Sequence, residues 1–226
     1  MASGGSPRKA LVLFGPPGSG KGTQAKLLTQ TLRYPHISTG DMLREHIKAG
    51  DSIGMKVRDL LKAGQLVPDE MVDEMVRERI DRPDCERGFI LDGYPRTLRQ
   101  AHSILERFRE RSIEPTVVFL KVDEDKLVKR LTNRRQCPQC GTLYNVLLKP
   151  PIVRGRCDIE GARLIVREDD REDVIRERFE NYARQTQPVI AFLEKSARFF
   201  AVEASEASPE EIFRQIGEFV RNGESS

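Results

Sequence analysis

An apolar run that turns abruptly into glycines and then a lysine constrains this chain more than anything else in it. Residues 9–14 read Lys-Ala-Leu-Val-Leu-Phe, and Gly15-Pro16-Pro17-Gly18-Ser19-Gly20-Lys21-Gly22-Thr23 follows. Apolar positions then recur at Ala25, Leu28 and Leu32 with helical spacing, so the stretch predicts a strand, a tight loop and a helix in succession. Glycines let backbone amides turn inward and approach phosphate oxygens, the helix N-terminus adds partial positive charge, and Lys21 brings a mobile full charge. A polyphosphate suits such a cradle. The usual pattern has Ser or Thr directly after the lysine, whereas here Gly22 intervenes. Thr23 is therefore not assigned as a direct Mg²⁺ ligand, although its hydroxyl and amide can still reach a phosphate.

Bulk properties narrow the class. A chain of 226 residues suits one sizeable α/β domain with insertions. Its 38 Lys+Arg nearly balance 35 Asp+Glu, so no polybasic field points to nucleic acid or a membrane surface. No apolar run approaches a membrane span and no signal-peptide core is present, which predicts a soluble, cytoplasmic protein. Residues 1–8 are small, polar and proline-containing, and predict a disordered leader.

Along the chain, 36–38 reads as a short extended piece, after which Thr39-Gly40-Asp41 is expected to cap a helix over 42–49. Gly50-Asp51 breaks it, a second helix covers 54–62, and Pro68-Asp69-Glu70 opens a third over 71–80. The run Gly88-Phe89-Ile90-Leu91 ends in Asp92. In an open parallel sheet the carboxyl ends of strands face the ligand crevice, so Asp92 is placed to hold Mg²⁺, directly or through its waters. Residues 97–111 predict a helix, 116–122 a β-branched strand, and 123–133 a helix capped by Asp123. From 134 to 170 the helical period vanishes, and short β-like runs at 143–148 and 163–166 suggest a small β insert. Residues 172–197 are helical with Pro188 inside, predicting a kink or break near Gln187. A last strand at 199–202 and a helix at 209–220 close the chain. Strands alternating with helices imply a parallel sheet covered on both faces.

Taken together, Gly15 to Thr23, Thr39-Gly40-Asp41-Met42-Leu43-Arg44, Asp92-Gly93-Tyr94-Pro95-Arg96-Thr97 and Arg167-Glu168-Asp169-Asp170 resemble the adenylate kinase family in its long-lid bacterial form. The resemblance covers about residues 9–221. It implies a P-loop nucleoside monophosphate kinase of the α/β class, with a five-stranded parallel sheet flanked by helices. It implies a core of 9–37, 68–132 and 171–226, a helical AMP-binding insert at 38–67 and a small β lid insert at 133–170. The activity implied is reversible phosphoryl transfer from Mg-ATP to AMP, giving two ADP, by a monomer acting on small molecules. The alternatives are a GTP:AMP phosphotransferase, a UMP/CMP kinase, which the long lid disfavours, and a zinc-ribbon regulatory protein that grips nucleic acid. The last would require more aromatics than Tyr144 beside Arg134, Arg135, Arg154 and Arg156.

By the same resemblance, Gly15, Pro17, Gly18, Ser19, Gly20, Lys21, Gly22 and Thr23 bind ATP, with Arg130, Arg134 and Tyr144 from the lid side. Thr39, Arg44 and Arg96 hold the AMP phosphate, Gly93, Arg167 and Arg178 belong to the same AMP site, Gly64, Leu66 and Val67 line the base pocket, and Gln100 reads the adenine edge. Arg134, Arg167 and Arg178 converge with Lys21 and Arg96 on the transferred group. Tyr94 stands where phenylalanine is common in the family, and no functional change is expected from it. The AMP phosphate oxygen is already anionic, so no general base is required, and charge neutralisation and alignment carry the chemistry.

Cys137-Pro138-Gln139-Cys140-Gly141 reads as half of a zinc knuckle, with Cys157 sixteen residues further on. A fourth ligand is expected three places after Cys157, where Glu160 stands, with Asp158 as competitor. The reading is structural Zn²⁺ on Cys137, Cys140, Cys157 and Glu160, against a metal-free lid with reduced thiols or a disulfide. Cys85 lies apart and reads as an inert thiol.

Overall fold

Strand β1 (Arg8–Phe14) alternates two sets of apolar side chains, and the alternation divides the protein into layers. Ala10, Val12 and Phe14 belong to one buried cluster, while Leu11 and Leu13 belong to the other. A strand whose two faces are both apolar must be covered on both sides, which only a central strand of a sandwiched sheet achieves. The computed structural model describes residues 7–222. The expected leader falls outside the described residues over 1–6, and its last member, Arg8, is instead the first residue of β1.

The remaining strands of the main sheet are β2 (His36–Ser38), β3 (Gly88–Asp92), β4 (Ile113–Lys121) and a last one, Arg198–Glu203, numbered β7 by its place in the chain. They pair in parallel in the order β2-β3-β1-β4-β7. β1 therefore sits between β3 and β4, and the loops after β1 and β3 open side by side at the carboxyl edge, where open α/β sheets bind their ligands.

On the leucine face of β1 lie α1 (Lys21–Leu32) and α9 (Pro209–Asn222), through Ala25, Leu28, Ile212 and Ile216. On the other lie α4 (Asp69–Ile80), α5 (Leu98–Glu110) and α8 (Gln187–Ser196). Two short helices, α2 (Thr39–Ala49) and α3 (Ser52–Lys62), occupy the expected AMP insert. The first is capped differently from the expectation: Ser38 Oγ accepts from the Asp41 amide at 3.3 Å, and Thr39-Gly40-Asp41 forms the first turn. Helix α6 (Glu124–Thr132) follows Asp123, whose side chain makes no capping bond, contrary to expectation; its backbone N–H donates to Ser205 Oγ.

The lid insert is built on β5 (Arg134–Gln136) and β6 (Leu143–Asn145), which pair antiparallel. Ile165 adds an isolated bridge to Gln136. Beyond the lid, the regular coil of α7 (Glu172–Asn181) is interrupted just before Gln187, where a kink or break is expected from Pro188. The chain passes through a wide π turn (Tyr182–Thr186) straight into α8, and the Gln187 amide bonds back to the Tyr182 carbonyl. Widening the coil accommodates Pro188, which lacks the amide for an ordinary turn. No helix among the described residues is long and apolar enough to cross a membrane.

Candidate active site

The loop between β1 and α1 is bent tightly enough that only glycine fits at its turning points. Gly15 adopts φ +147, and a Cβ there would meet the Leu120 carbonyl oxygen and Ser19 Oγ at 2.8 Å each. Gly18 adopts φ +83 with Leu131 at 3.0 Å from such a Cβ. The loop wraps Lys21, whose Nζ donates to the Gly15 and Pro16 carbonyls at 2.8 and 2.9 Å. Asp92, at the end of β3, brings Oδ2 within 3.6 Å of where a Cβ on Gly22 would stand. The carboxylate thus lies directly beside the loop, and His36 Nε2 contacts it at 3.3 Å.

These groups open onto a cleft of about 780 Å³. Gly15, Pro17, Gly18, Ser19, Gly20, Lys21, Gly22 and Thr23 line it together with Arg130, Arg134 and Tyr144. Arg44, Gly64, Leu66, Gly93, Arg96, Arg167 and Arg178 line the same cleft. Val67 lines an adjoining hollow of about 370 Å³. Thr39 and Gln100 stand behind the surface: Thr39 Oγ1 donates to the Gly93 carbonyl at 2.9 Å, and Gln100 Oε1 accepts the Arg96 amide at 2.7 Å. Tyr144 borders the cleft, but its hydroxyl is turned into the lid, 3.4 Å from Cys157 Sγ.

So many cations in one place disfavour one another. Burial, with Arg96, Arg178 and Arg134 nearby, brings Lys21 down to about 8, Asp92 opposing. Burial, then Arg178 and Arg44, brings Arg96 down to about 10; burial, then Arg44 and Arg134, brings Arg167 to about 9. Arg178 is lowered chiefly by burial. At these values Lys21, Arg96 and Arg167 remain predominantly charged at neutral pH. Asp169 is drawn into the same field: burial opposes its ionisation, but Arg178, Arg44, Arg134 and Arg167 hold its carboxyl below the ordinary range. Among the described residues, four buried atoms of cleft-lining side chains have no protein partner: the donors Arg44 Nε, Ser19 Oγ and Tyr182 Oη, and the acceptor Gln24 Oε1. A buried donor without a partner is costly, so a site that leaves one is built to receive an acceptor. An anion with many oxygens relieves the whole arrangement at once.

In the lid, Cys137, Cys140 and Cys157 bring their sulfurs within 4.8 Å of one another, with Cys140 and Cys157 3.6 Å apart. Two matched turns carry them. Gly141 N bonds to the Cys137 carbonyl at 3.0 Å, Gly161 N to the Cys157 carbonyl at 2.8 Å, and each glycine has a positive φ. Glu160 occupies in the second turn the place Cys140 holds in the first. Among the described residues, though, the group within 4.8 Å is the three thiols alone, without Glu160 or Asp158. Asp158 Oδ1 is engaged by the Ile152 amide at 2.8 Å. Burial disfavours the Cys157 thiolate, but the Tyr144 hydroxyl and the amides of Glu160 and Ile159 outweigh it and bring the thiol to about 6. Three close sulfurs, one inclined to ionise, suit a soft divalent metal such as zinc. Cys85 lies outside this cluster, fully buried, with its thiol pushed up by burial.

Sequence reasoning missed several residues of the site. Asp69 reads in the sequence as an ordinary acid in a first helical turn, yet it accepts from Thr97 Oγ1 and Gln100 Nε2, both at 2.8 Å. Asp170, quoted but given no role, binds Arg134 and Arg178. The segment 205–210, which borders the cleft next to Arg130, carries no motif that would reveal it.

A family model described as adenylate kinase matches residues 13–198. The chain is 49% identical over 196 residues to the adenylate kinase of Thermosipho melanesiensis, covering 86% of this chain and 92% of that protein. It is 46% identical over 187 residues to that of Thermotoga petrophila, with 82% and 85% covered. To that of Archaeoglobus fulgidus it is 43% identical over 196 residues, with 86% and 90% covered.

Proposed function

The chain belongs to the adenylate kinase family, and from that premise we propose how its own residues carry a phosphoryl group from Mg-ATP to AMP, giving two ADP. ATP lies with its phosphates in the loop from Gly15 to Thr23, and Lys21 leaves the Gly15 and Pro16 carbonyls to meet the outer phosphates. Arg130 and Arg134 attend the donor from the lid side, with Tyr144 bordering it. AMP lies across the cleft, its phosphate held by Thr39, Arg44, Gly93 and Arg96 and its base between Gly64, Leu66, Val67 and Gln100.

The AMP phosphate oxygen attacks the γ-phosphorus in line as the bond to the β,γ-bridging oxygen breaks, and no proton needs to move. Lys21, Arg96, Arg134, Arg167 and Arg178 neutralise the charge spread over the passing group. Asp92 would hold Mg²⁺ through its waters, and the ion would supply positive charge to offset that of the donor phosphates. Closure of the lid excludes water, which would otherwise take the phosphoryl group. In the lid, Zn²⁺ on Cys137, Cys140 and Cys157, with Glu160 closing the fourth place from its matched turn, would staple an insert too small for a core of its own.

One observation supports this division of labour above the others: buried, mutually repelling cations face a single cleft and leave a buried arginine donor unpartnered. ADP formation from ATP plus AMP, compared with GTP as donor and CMP as acceptor, tests it. Efficient use of GTP in place of ATP would overturn the donor assignment, and no ADP from ATP plus AMP would overturn the whole.

A further inference from the structure

Gln100 is 3% exposed, and both ends of its amide are already held by the protein. Nε2 donates to Asp69 Oδ1 at 2.8 Å, and Oε1 accepts from the Arg96 backbone N–H at 2.7 Å. A carboxylate can only accept and a backbone N–H can only donate, so these partners dictate which end of the amide is oxygen and which is nitrogen. Asp69 is itself fixed, because its other oxygen accepts from Thr97 Oγ1 at 2.8 Å and it opens α4 after Pro68, which follows the base-pocket residues Leu66 and Val67. Each end of the amide keeps one unused position, a second N–H and a second lone pair.

An amide pairs with the edge of a six-membered base ring through one donor and one acceptor side by side. Adenine offers an acceptor at N1 and an amino donor at position 6. A 6-oxopurine offers the reverse, N–H at N1 and an acceptor at position 6. A freely turning amide satisfies either base by rotating half a turn, whereas a clamped one suits only one of them.

We infer that Asp69 sets the base selectivity of the AMP site by clamping the Gln100 amide in one orientation, so that the site takes 6-aminopurine and rejects 6-oxopurine monophosphates. The inference rests on the AMP site proposed above, and it makes Asp69 a positioning residue that acts through Gln100. Sites that use a fixed polar group discriminate strongly, because the wrong partner leaves a buried donor or acceptor unpaired.

AMP and IMP are the probes, since they differ only at position 6 and the N1 proton. Wild-type protein should use AMP far better than IMP. Asp69→Asn offers a donor as well as an acceptor and leaves the Arg96 N–H as the amide's one orienting partner, so the AMP-over-IMP ratio of kcat/KM should fall severalfold, to about tenfold, mostly through KM. Thr97→Val, which loosens Asp69 and the start of α5 but spares the Asp69–Gln100 bond, should lower the ratio less than Asp69→Asn does. In a Gln100→Leu background Asp69→Asn should change the ratio no further. General structural damage would lower activity toward both nucleotides alike. A folded Asp69→Asn protein with an unchanged ratio overturns the inference. Should Asp69→Asn fail to fold, Asp69→Ser decides: a fallen AMP-over-IMP ratio supports the clamp and a retained ratio overturns it. Wild-type protein that makes no ADP from AMP would instead overturn the AMP-site reading itself.

Discussion

Arg134 and Asp170, thirty-six residues apart in sequence, meet in a two-pronged ion pair, Nε to Oδ2 at 2.7 Å and Nη2 to Oδ1 at 2.5 Å. The carboxylate has no exposed surface and also takes Arg178 Nη1 at 3.1 Å. The two ends of the lid insert are thereby joined, and one anion orients two of the arginines proposed to meet the passing phosphoryl group.

Replacing that anion should therefore affect fold and chemistry together. Asp170→Ala leaves two buried guanidinium groups without their shared partner, a change expected to cost about 3 kcal/mol of stability. It should also lower kcat by at least tenfold with a smaller change in KM for ATP, because orientation of Arg134 and Arg178 counts most in the transition state. Chemical denaturation and steady-state kinetics on the same preparation check both parts, and an unaffected kcat would separate Asp170 from catalysis.

Lys21 should weaken the ligand-free fold while driving the reaction. Its folded pKa, about 8, lies below the ordinary 10.5, so between those values the unfolded chain binds more protons than the native one. Stability of the free protein should consequently carry a component that rises with pH from about 8 to 10.5. Lys21→Met should abolish that component and, at pH 7, raise Tm by about 2–4 °C, for roughly 1 kcal/mol relieved. Turnover should fall by at least ~10³-fold. Calorimetry across pH and an ADP assay provide the measurements; intact turnover in a folded variant would remove Lys21 from the mechanism.

Tyr94 donates to Asp73 Oδ1 at 2.6 Å in a place where both are buried. Tyr94→Phe strands that carboxylate and should cost about 1–3 kcal/mol, whereas removing both polar groups with Tyr94→Phe/Asp73→Leu should recover most of the loss. The kcat of the single variant should stay within about twofold, since the hydroxyl points away from the nucleotide side toward α4. Urea denaturation of the three proteins forms the cycle.

Protein purified without chelator should contain about one zinc per chain. Cys137→Ser, or a strong chelator, should raise amide exchange in the lid insert before the sheet is affected, because the insert's buried cluster is small, centred on Cys137, Tyr144, Cys157 and Leu164. Metal analysis that finds neither zinc nor iron would end the proposal. A Glu160→Ala protein that retains zinc with undiminished affinity would remove Glu160 from the ligand set.

Much of this architecture is legible in the sequence wherever the chemistry is local. The loop from Gly15 to Thr23 declares itself because the bend demands glycine, and β3 does so because its buried residues form an unbroken apolar run into Asp92. Strand β5 escapes because Arg134-Arg135-Gln136 shows no apolar alternation; it is shaped by its pairing with β6 and by Asp170. The start of β4 escapes because Pro115 masks a strand that begins at Ile113. Asp69 and Asp170 have roles that exist only once distant segments meet, and an acid near a helix start has a ready local explanation that conceals the tertiary one.

The π turn between Tyr182 and Thr186 bears on how Arg178 is held. A proline accommodated by a widened coil keeps the helical run continuous from Glu172, beside the lid's exit, to Val189 and Leu193 seated in the core. Arg178 is accordingly carried on a helical run anchored in the core at its far end, while Asp169 and Asp170, at the lid's exit, hold its guanidinium at the near end, so the lid and the core share the aiming of one cation.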